Sequence, residues 1–153
     1  MSQISNHSYG VAKVIIENVL PNVFNNPQKA ATYFHPTAQF GWKNITEKLN
    51  QTVKGRLFIY RFLKRTLIPL EKINILSYTA QTTKWNAQVG ELSIISVSGV
   101  LVGPTYNYKF NASFHILHNP QNSQQSIEQP DFFAEYAAFT ACIIASTFIV
   151  RKL

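Results

Sequence analysis

Two long runs of strand-forming residues, joined by a short turn, constrain the fold of this chain most. The first run extends from Leu92 to Val102 and the second from Tyr108 to Leu117, with Gly103 and Pro104 between them. Strands of about ten residues are well above the usual five or six. Long paired strands in a chain of 153 residues predict one strongly bent sheet with helices on one face.

The two strands differ in how clearly their faces are distinguished. In the second strand, polar and charged residues occupy the face that includes Asn111, Ser113 and His115. The opposite face carries Tyr106, Tyr108, Phe110, Ala112, Phe114 and Ile116, and this aromatic face is expected to pack on the helices. The first strand is apolar on both faces. A chain with few helices cannot cover both faces, so we expect a partner protein to cover the open one.

Periodicity and breakers predict the remaining elements, and we find no second domain within residues 1–153. Pro21 is expected to end the first helix, because proline cannot continue the helical hydrogen bonds. The predicted elements are helices at residues 4–20, 27–34 and 54–66, strands at 38–42, 72–85 and 137–150, and a flexible polar loop at 119–130.

Composition limits the classes of function. Charged residues make up 14% of the chain, below the ~25% typical of soluble domains, which favours a surface partly buried by association. The net charge of +7 allows a polyanionic partner such as RNA. A single cysteine, Cys142, excludes an internal disulfide and a cysteine metal cluster. The apolar stretch from Phe139 to Val150 is too short to cross a bilayer, so no membrane role is expected.

The order of elements and four short motifs resemble the nuclear transport factor 2-like (NTF2-like) family over most of the chain. The segments that carry the resemblance are Tyr33–Pro36 with Ala38–Trp42 ("F-x-x-x-A … W-x-G"), Val97–Leu101 ("V-x-G-x-L"), Tyr108–Leu117 ("F-x-Q-x-F-x-L") and Ile143–Arg151 ("I-x-S-D-x-F-R"). Thr147 stands where the family usually has an acidic residue, and the loop after residue 119 is longer than expected.

The resemblance implies an α+β fold, with the helices on the concave face of a cone-shaped antiparallel sheet. Within the family, the chain is most similar to the small subunit of the heterodimeric mRNA export receptor. That similarity implies a larger homologous partner subunit, binding of Phe-Gly repeats of nucleoporins, RNA as a further partner, and a location in the nucleus and nuclear pore with cytoplasmic shuttling.

Two sets of site residues follow. The expected partner interface comprises Ile95, Val97, Leu101, Asn111, Ser113, His115, Leu117, Ile143 and Ala145 on the long strands. The expected nucleic-acid patch comprises Arg56, Arg61, Lys64 and Arg65, the densest basic cluster in the chain. A solvated helix face is an equally good interpretation of that cluster.

The same cone also houses isomerases and dehydratases, so fold alone does not decide function. Such enzymes need an inward acid–base pair. The acidic residues fall at predicted element ends, polar helix faces or loops: Glu17, Glu47, Glu71, Glu91, Glu128, Asp131 and Glu135. We therefore expect a binding module without catalytic residues, metal, cofactor or small-molecule substrate. The alternatives are a cone-fold enzyme and a basic structural subunit of a large ribonucleoprotein assembly.

Overall fold

A computed structural model describes residues 11–66, 70–86, 90–119 and 140–153 of the chain. The predicted loop at 119–130 lies outside these residues except for Asn119, which belongs to a strand. The helical positions predicted before residue 11 also lie outside them. No helix in the described ranges is both long enough and apolar enough to cross a membrane.

The first helical segment continues through Pro21 rather than ending there. Residues 11–14 are helical, a wider π-helical turn spans Ile15–Val19, and helix α1 follows at Leu20–Asn25 with Pro21 in its first turn. The N–H of Leu20 donates to the carbonyl oxygen of Ile15, five residues earlier. Proline is tolerated in a helix's first turn, where its missing N–H leaves no hydrogen bond unmade. The prediction that the first helix ends at Pro21 was therefore wrong.

Two more helices precede and follow the first hairpin. Helix α2 spans Pro27–Thr32, two residues shorter than expected, and the side chain of Asn26 caps it by accepting a hydrogen bond from the N–H of Lys29 at 3.2 Å. Helix α3 spans Arg56–Arg65 and begins after Gly55, whose φ of 101° is costly for other residues. Its buried residues Ile59, Phe62 and Leu63 join the core.

Six strands form one sheet in the order β2-β1-β6-β5-β4-β3. Their bounds are β1 Phe34–Asn44, β2 Leu49–Lys54, β3 Lys72–Asn86, β4 Gly90–Val102, β5 Asn107–Asn119 and β6 Thr140–Lys152. The long hairpin of β4 and β5 is confirmed. The sheet, expected to be antiparallel, is mixed: β1 pairs in parallel with β6, and the other neighbouring strands pair antiparallel.

The core lies between the helices and one face of the sheet, and it is rich in aromatic rings. Phe148 of β6 is central: its ring lies between 5.5 and 6.0 Å, centre to centre, from the rings of Phe24, Phe40, Trp42 and Phe114. The helices of the described residues pack on this face, and because successive residues of a strand point to opposite faces, the alternate residues of each strand point away from those helices.

Candidate partner-binding face

The open face of the sheet has a continuous row of small side chains at its centre. Cross-strand pairing aligns one residue from each of the six strands: Thr79, Ser96, Ser113, Thr147, Gly41 and Thr52. Every member except glycine carries a hydroxyl group. The neighbours of Ser113 and Thr147 along their strands are buried in the core. We call this set the hydroxyl row.

A shallow groove of ≈ 270 Å³ runs along the hydroxyl row on the β3, β4, β5 and β6 side of the open face. Ile149 of β6 is among the residues that line it. Within it, the hydroxyl groups of Ser77 and Ser98 form a 2.7 Å hydrogen bond. Hydroxyls and small side chains allow a second protein surface to approach the backbone of this sheet closely.

Apolar side chains flank the hydroxyl row without being fully buried. Ile94 and Val100 of β4, Leu117 of β5 and Ile149 of β6 are half-buried. On edge strand β3, Leu76 is 67% exposed, whereas Tyr78 pairs with the core residue Val97 and therefore lies on the opposite face of the sheet. The open face therefore has a small polar centre with apolar borders, whereas β4 and β6 were expected to be apolar on both of their faces.

The predicted interface residues divide between the two faces of the sheet. Five lie on the open face: Asn111, Ser113, His115, Leu117 and Ala145. The other four are buried in the chain's own core at 0–3% exposure: Ile95, Val97, Leu101 and Ile143. Assigning those four to a partner interface was wrong, because the face that they occupy packs against the helices.

Five members of the hydroxyl row were missed by the sequence interpretation: Gly41, Thr52, Thr79, Ser96 and Thr147. Strand alternation within β6 could have placed Thr147 opposite to Phe148. Gly41 could not have been found in this way, since its place beside Thr147 depends on the parallel pairing of β1 with β6. A Cβ atom on residue 41 would lie 3.5 Å from the hydroxyl oxygen of Thr147.

Acidic side chains do not enter the interior in the part of the chain whose side chains are described. Glu17, Glu47 and Glu71 are exposed there. The described ranges contain no cluster of three or more His, Cys, Asp or Glu residues able to hold a metal ion. The side chains of Glu91, Glu128, Asp131 and Glu135 lie outside the described set.

Among the described residues, the pKa is clearly shifted in two groups, the thiol of Cys142 and the imidazole of His35. Cys142 is buried, and burial raises the pKa of its thiol to about 11 although Arg56 opposes the shift. The thiol is therefore protonated and unreactive near neutral pH. His35 accepts a hydrogen bond at Nδ1 from the N–H of Thr37 at 3.1 Å, and burial, followed by the charge of Arg56, lowers its pKa.

The predicted basic patch is smaller than expected. Arg61, Lys64 and Arg65 are exposed on α3. Arg56 is half-buried, and its Nε–H donates to the carbonyl oxygen of Phe34 at 3.0 Å. Arg56 therefore holds the start of α3 against the start of β1, and its inclusion in an exposed patch was wrong.

Comparison with solved structures identifies the fold. A chain in the yeast deubiquitinase Ubp3 and Bre5 cofactor complex is 19% identical, with a TM-score of 0.64 over 95% of this chain and 96% of that chain. In the complex of the Chaetomium thermophilum Mex67 NTF2-like domain with Mtr2, a chain is 14% identical, with a TM-score of 0.59 over 95% of this chain and 99% of that one.

A third similar structure is a putative ketosteroid isomerase from Parabacteroides distasonis. It is 11% identical, with a TM-score of 0.56 over 88% of this chain and 84% of that chain. No protein-family model and no curated protein sequence matches the chain significantly. At these identities the likeness establishes the fold alone, and it confirms the expectation that this chain has an NTF2-like α+β fold.

Proposed function

We propose that this chain is a non-catalytic binding module that pairs, through the open face of its sheet, with a larger protein carrying an NTF2-like domain. The observation that carries the proposal is the hydroxyl row, whose small side chains cross all six strands of a sheet face on which no described helix packs. Two sheets pack face to face at about 10 Å, and small central residues favour such close packing.

The open face is large enough for a stable interface. Six strands spaced about 4.8 Å apart, with an average length of about 40 Å, give a face on the order of 1,000 Å². A standard interface buries about 800 Å² on each partner. The groove at Ser77 and Ser98, with Ile149 at its border, offers both hydrogen-bonding groups and an apolar contact.

The finer proposal is that the chain is the small subunit of a heterodimeric mRNA export receptor. Its partner is then a larger homologous subunit, and the pair helps to bind Phe-Gly repeats of nucleoporins while moving between the nucleus, the nuclear pore and the cytoplasm. The motif resemblance and the likeness to a complex of Mex67 with Mtr2 support this assignment.

The interior supports a role without catalysis. The aromatic rings around Phe148 occupy the space between helices and sheet in which a cone-fold enzyme would hold its substrate. The acidic side chains that the structure describes point to solvent. An isomerase-type activity would need an inward proton acceptor beside a cavity.

A second candidate function is that of a cofactor subunit in a deubiquitinase complex. The likeness to a chain of the Ubp3 and Bre5 cofactor complex, which covers nearly all of both chains, favours it. Both candidates need a macromolecular partner, and they differ in which protein that partner is.

The test uses the full chain, purified from its native cell with its stoichiometric partners, and a variant of the open face. Ser113→Arg places a large cation at the centre of the hydroxyl row, and Thr105→Arg is the matched control on the exposed turn between β4 and β5. We expect a larger NTF2-like protein to co-purify with the wild type and the control and to be lost with Ser113→Arg.

Three other results would contradict parts of this proposal. A deubiquitinase as the stoichiometric partner would favour the second candidate. If the wild type is a homodimer and Ser113→Arg disrupts it, the open face is still the interface, but the proposed partner, a larger subunit, is excluded. A monomer with no partner in either form would exclude the binding module itself.

A further inference from the structure

Helix α3 exposes two adjacent large apolar side chains in its first turn. Leu57 is 55% exposed and Phe58 is 54% exposed, whereas Ile59, Phe62 and Leu63 are buried in the core. A single exposed leucine is ordinary in a folded protein. Two neighbouring large apolar residues on the solvent side of a ten-residue helix instead form a local patch that a partner can cover.

Exposed cations border this patch. Arg61 lies one helical turn after Leu57 and Phe58, and Lys64 and Arg65 lie one turn after Arg61, so these side chains are neighbours on the helix surface. The guanidinium carbon of Arg61 is 5.9 Å from the centre of the Phe58 ring. We call Leu57, Phe58, Arg61, Lys64 and Arg65 the α3 surface.

Among the described residues, the elements next to the α3 surface carry no compensating negative charge of their own. Neither α3 nor the preceding strand β2, which ends at the exposed Lys54, contains an aspartate or glutamate. Four of the chain's 14 basic residues lie in the ten positions of α3. Positive charge beside an exposed apolar patch is complementary to a ligand that combines carboxylates with a large apolar group.

We propose that the α3 surface binds an acidic peptide segment that carries a large apolar side chain. The apolar side chain of the peptide packs on Leu57 and Phe58, and its carboxylates pair with Arg61, Lys64 and Arg65. Arginine is suited to this role because its planar guanidinium group binds a carboxylate through two hydrogen bonds. The open face is on the other side of the sheet, so both surfaces can be occupied together.

A peptide fits this surface better than RNA does. Phosphates would satisfy the three cations, but Leu57 offers no flat ring for a base to stack on. Arg61 already lies over the ring of Phe58, at 5.9 Å from its centre. An RNA strand would therefore leave most of the exposed apolar area in contact with water, whereas an acidic peptide with an apolar side chain covers it.

Fluorescence anisotropy with the full chain tests the proposal. The probe is a labelled 12-residue peptide that contains four glutamates and two phenylalanines. Two matched probes replace the glutamates by glutamines or the phenylalanines by alanines, and a 12-nucleotide single-stranded RNA is the competitor. The variants are Phe58→Ser and the double substitution Arg61→Glu/Arg65→Glu. Lys13→Glu/Lys29→Glu makes the same charge change at exposed positions elsewhere.

We expect the acidic phenylalanine peptide to bind at least about tenfold more tightly than either matched peptide. Each α3 variant should weaken it by about tenfold or more, while the Lys13→Glu/Lys29→Glu control and Ser113→Arg change it less than about twofold. Circular dichroism shows whether each variant is folded.

Two results overturn the proposal. The first is equal binding of the three peptides, or no binding of the acidic one. The second is that the wild type binds the RNA more tightly than the peptide, and that the affinity for RNA is lowered by Arg61→Glu/Arg65→Glu but not by Phe58→Ser. That result assigns the cations to phosphate contacts. Loss of pairing in Ser113→Arg with unchanged peptide binding distinguishes this surface from the proposed function of the open face.

Discussion

Gly99 of β4 lies directly against the backbone of Asn74 in β3, so closely that a Cβ atom on residue 99 would overlap the carbonyl oxygen of Asn74. The approach accompanies a bulge: Ile75 pairs with Gly99 and Ser77 with Ser98, which leaves Leu76 as the extra residue of β3. A bulge bends its strand and increases the local twist. A glycine is therefore required on the partner strand where edge strand β3 bends.

Gly99→Ala is predicted to destabilise the fold by about 2 kcal/mol or more, because the new methyl group must displace backbone atoms rather than a flexible side chain. Urea unfolding followed by circular dichroism measures the change. Gly41→Ala is the matched control, since its Cβ would meet the side chain of Thr147 at 3.5–3.6 Å and the carbonyl oxygen of Ser146 at 3.9 Å, which are ordinary contact distances. Equal stability of the two variants would show that β3 can move away from β4.

Ser146→Ala is predicted to stabilise the protein by about 1 kcal/mol. The side chain of Ser146 is 2% exposed, and within the described part of the chain its Oγ atom has no hydrogen-bond partner. Burying an unpaired hydroxyl costs about 1–3 kcal/mol, and alanine removes that cost with little change in volume. Thermal unfolding compares it with Ser96→Ala on the open face, for which a change near zero is expected. A large loss of stability in Ser146→Ala would contradict the unpaired hydroxyl.

Phe148→Ala is predicted to cost about 3–5 kcal/mol, since it removes the ring that contacts four other aromatic rings and leaves a cavity. The same substitution at Phe58 removes a ring that is 54% exposed, and its expected cost is less than about 1 kcal/mol. Denaturant titration of both variants measures the difference. Similar losses would place Phe58 in the folded core and would also remove the basis of the α3 surface.

Strand β5 and strand β4 show how far the sequence predicts this fold. The contrast between Phe110 and Asn111 repeats along β5, so both its length and its buried face could be predicted. In β4 both Ile94 and Ile95 are apolar, and alternation alone could not decide which one faces the helices. The register against Phe114 of β5 buries Ile95 and leaves Ile94 on the open face.

The candidate sites depend on contacts between distant parts of the chain. The hydroxyl row requires the pairing of Gly41 with Thr147, which are far apart in sequence. The role of Arg56 depends on a hydrogen bond to Phe34, 22 residues earlier. The periodicity of a single strand or helix predicts neither of these two contacts. The sequence therefore predicted a partner-binding face and a basic helix, but it identified only some of the residues that belong to each.

Protonation of His35 is predicted to destabilise the fold below pH 6.5. Nδ1 of His35 accepts a hydrogen bond from the N–H of Thr37, and a proton on that nitrogen would break the bond. Burial and the nearby charge of Arg56 lower the pKa of His35 from its ordinary value of 6.5. The unfolded chain therefore binds a proton at this residue more readily than the folded chain does.

The sign of the pH dependence follows from that difference. The contribution of His35 to the free energy of unfolding is complete above pH 6.5 and decreases as the pH falls from 6.5 towards the lowered pKa of the folded state. Urea titrations at pH 7.5 and 5.5 should show a smaller loss of stability in His35→Gln than in the wild type. NMR titration of the ring should give a higher pKa for His35 in folded Arg56→Gln than in the wild type. An unchanged ring pKa in that variant would exclude Arg56 as a cause of the shift and leave burial alone.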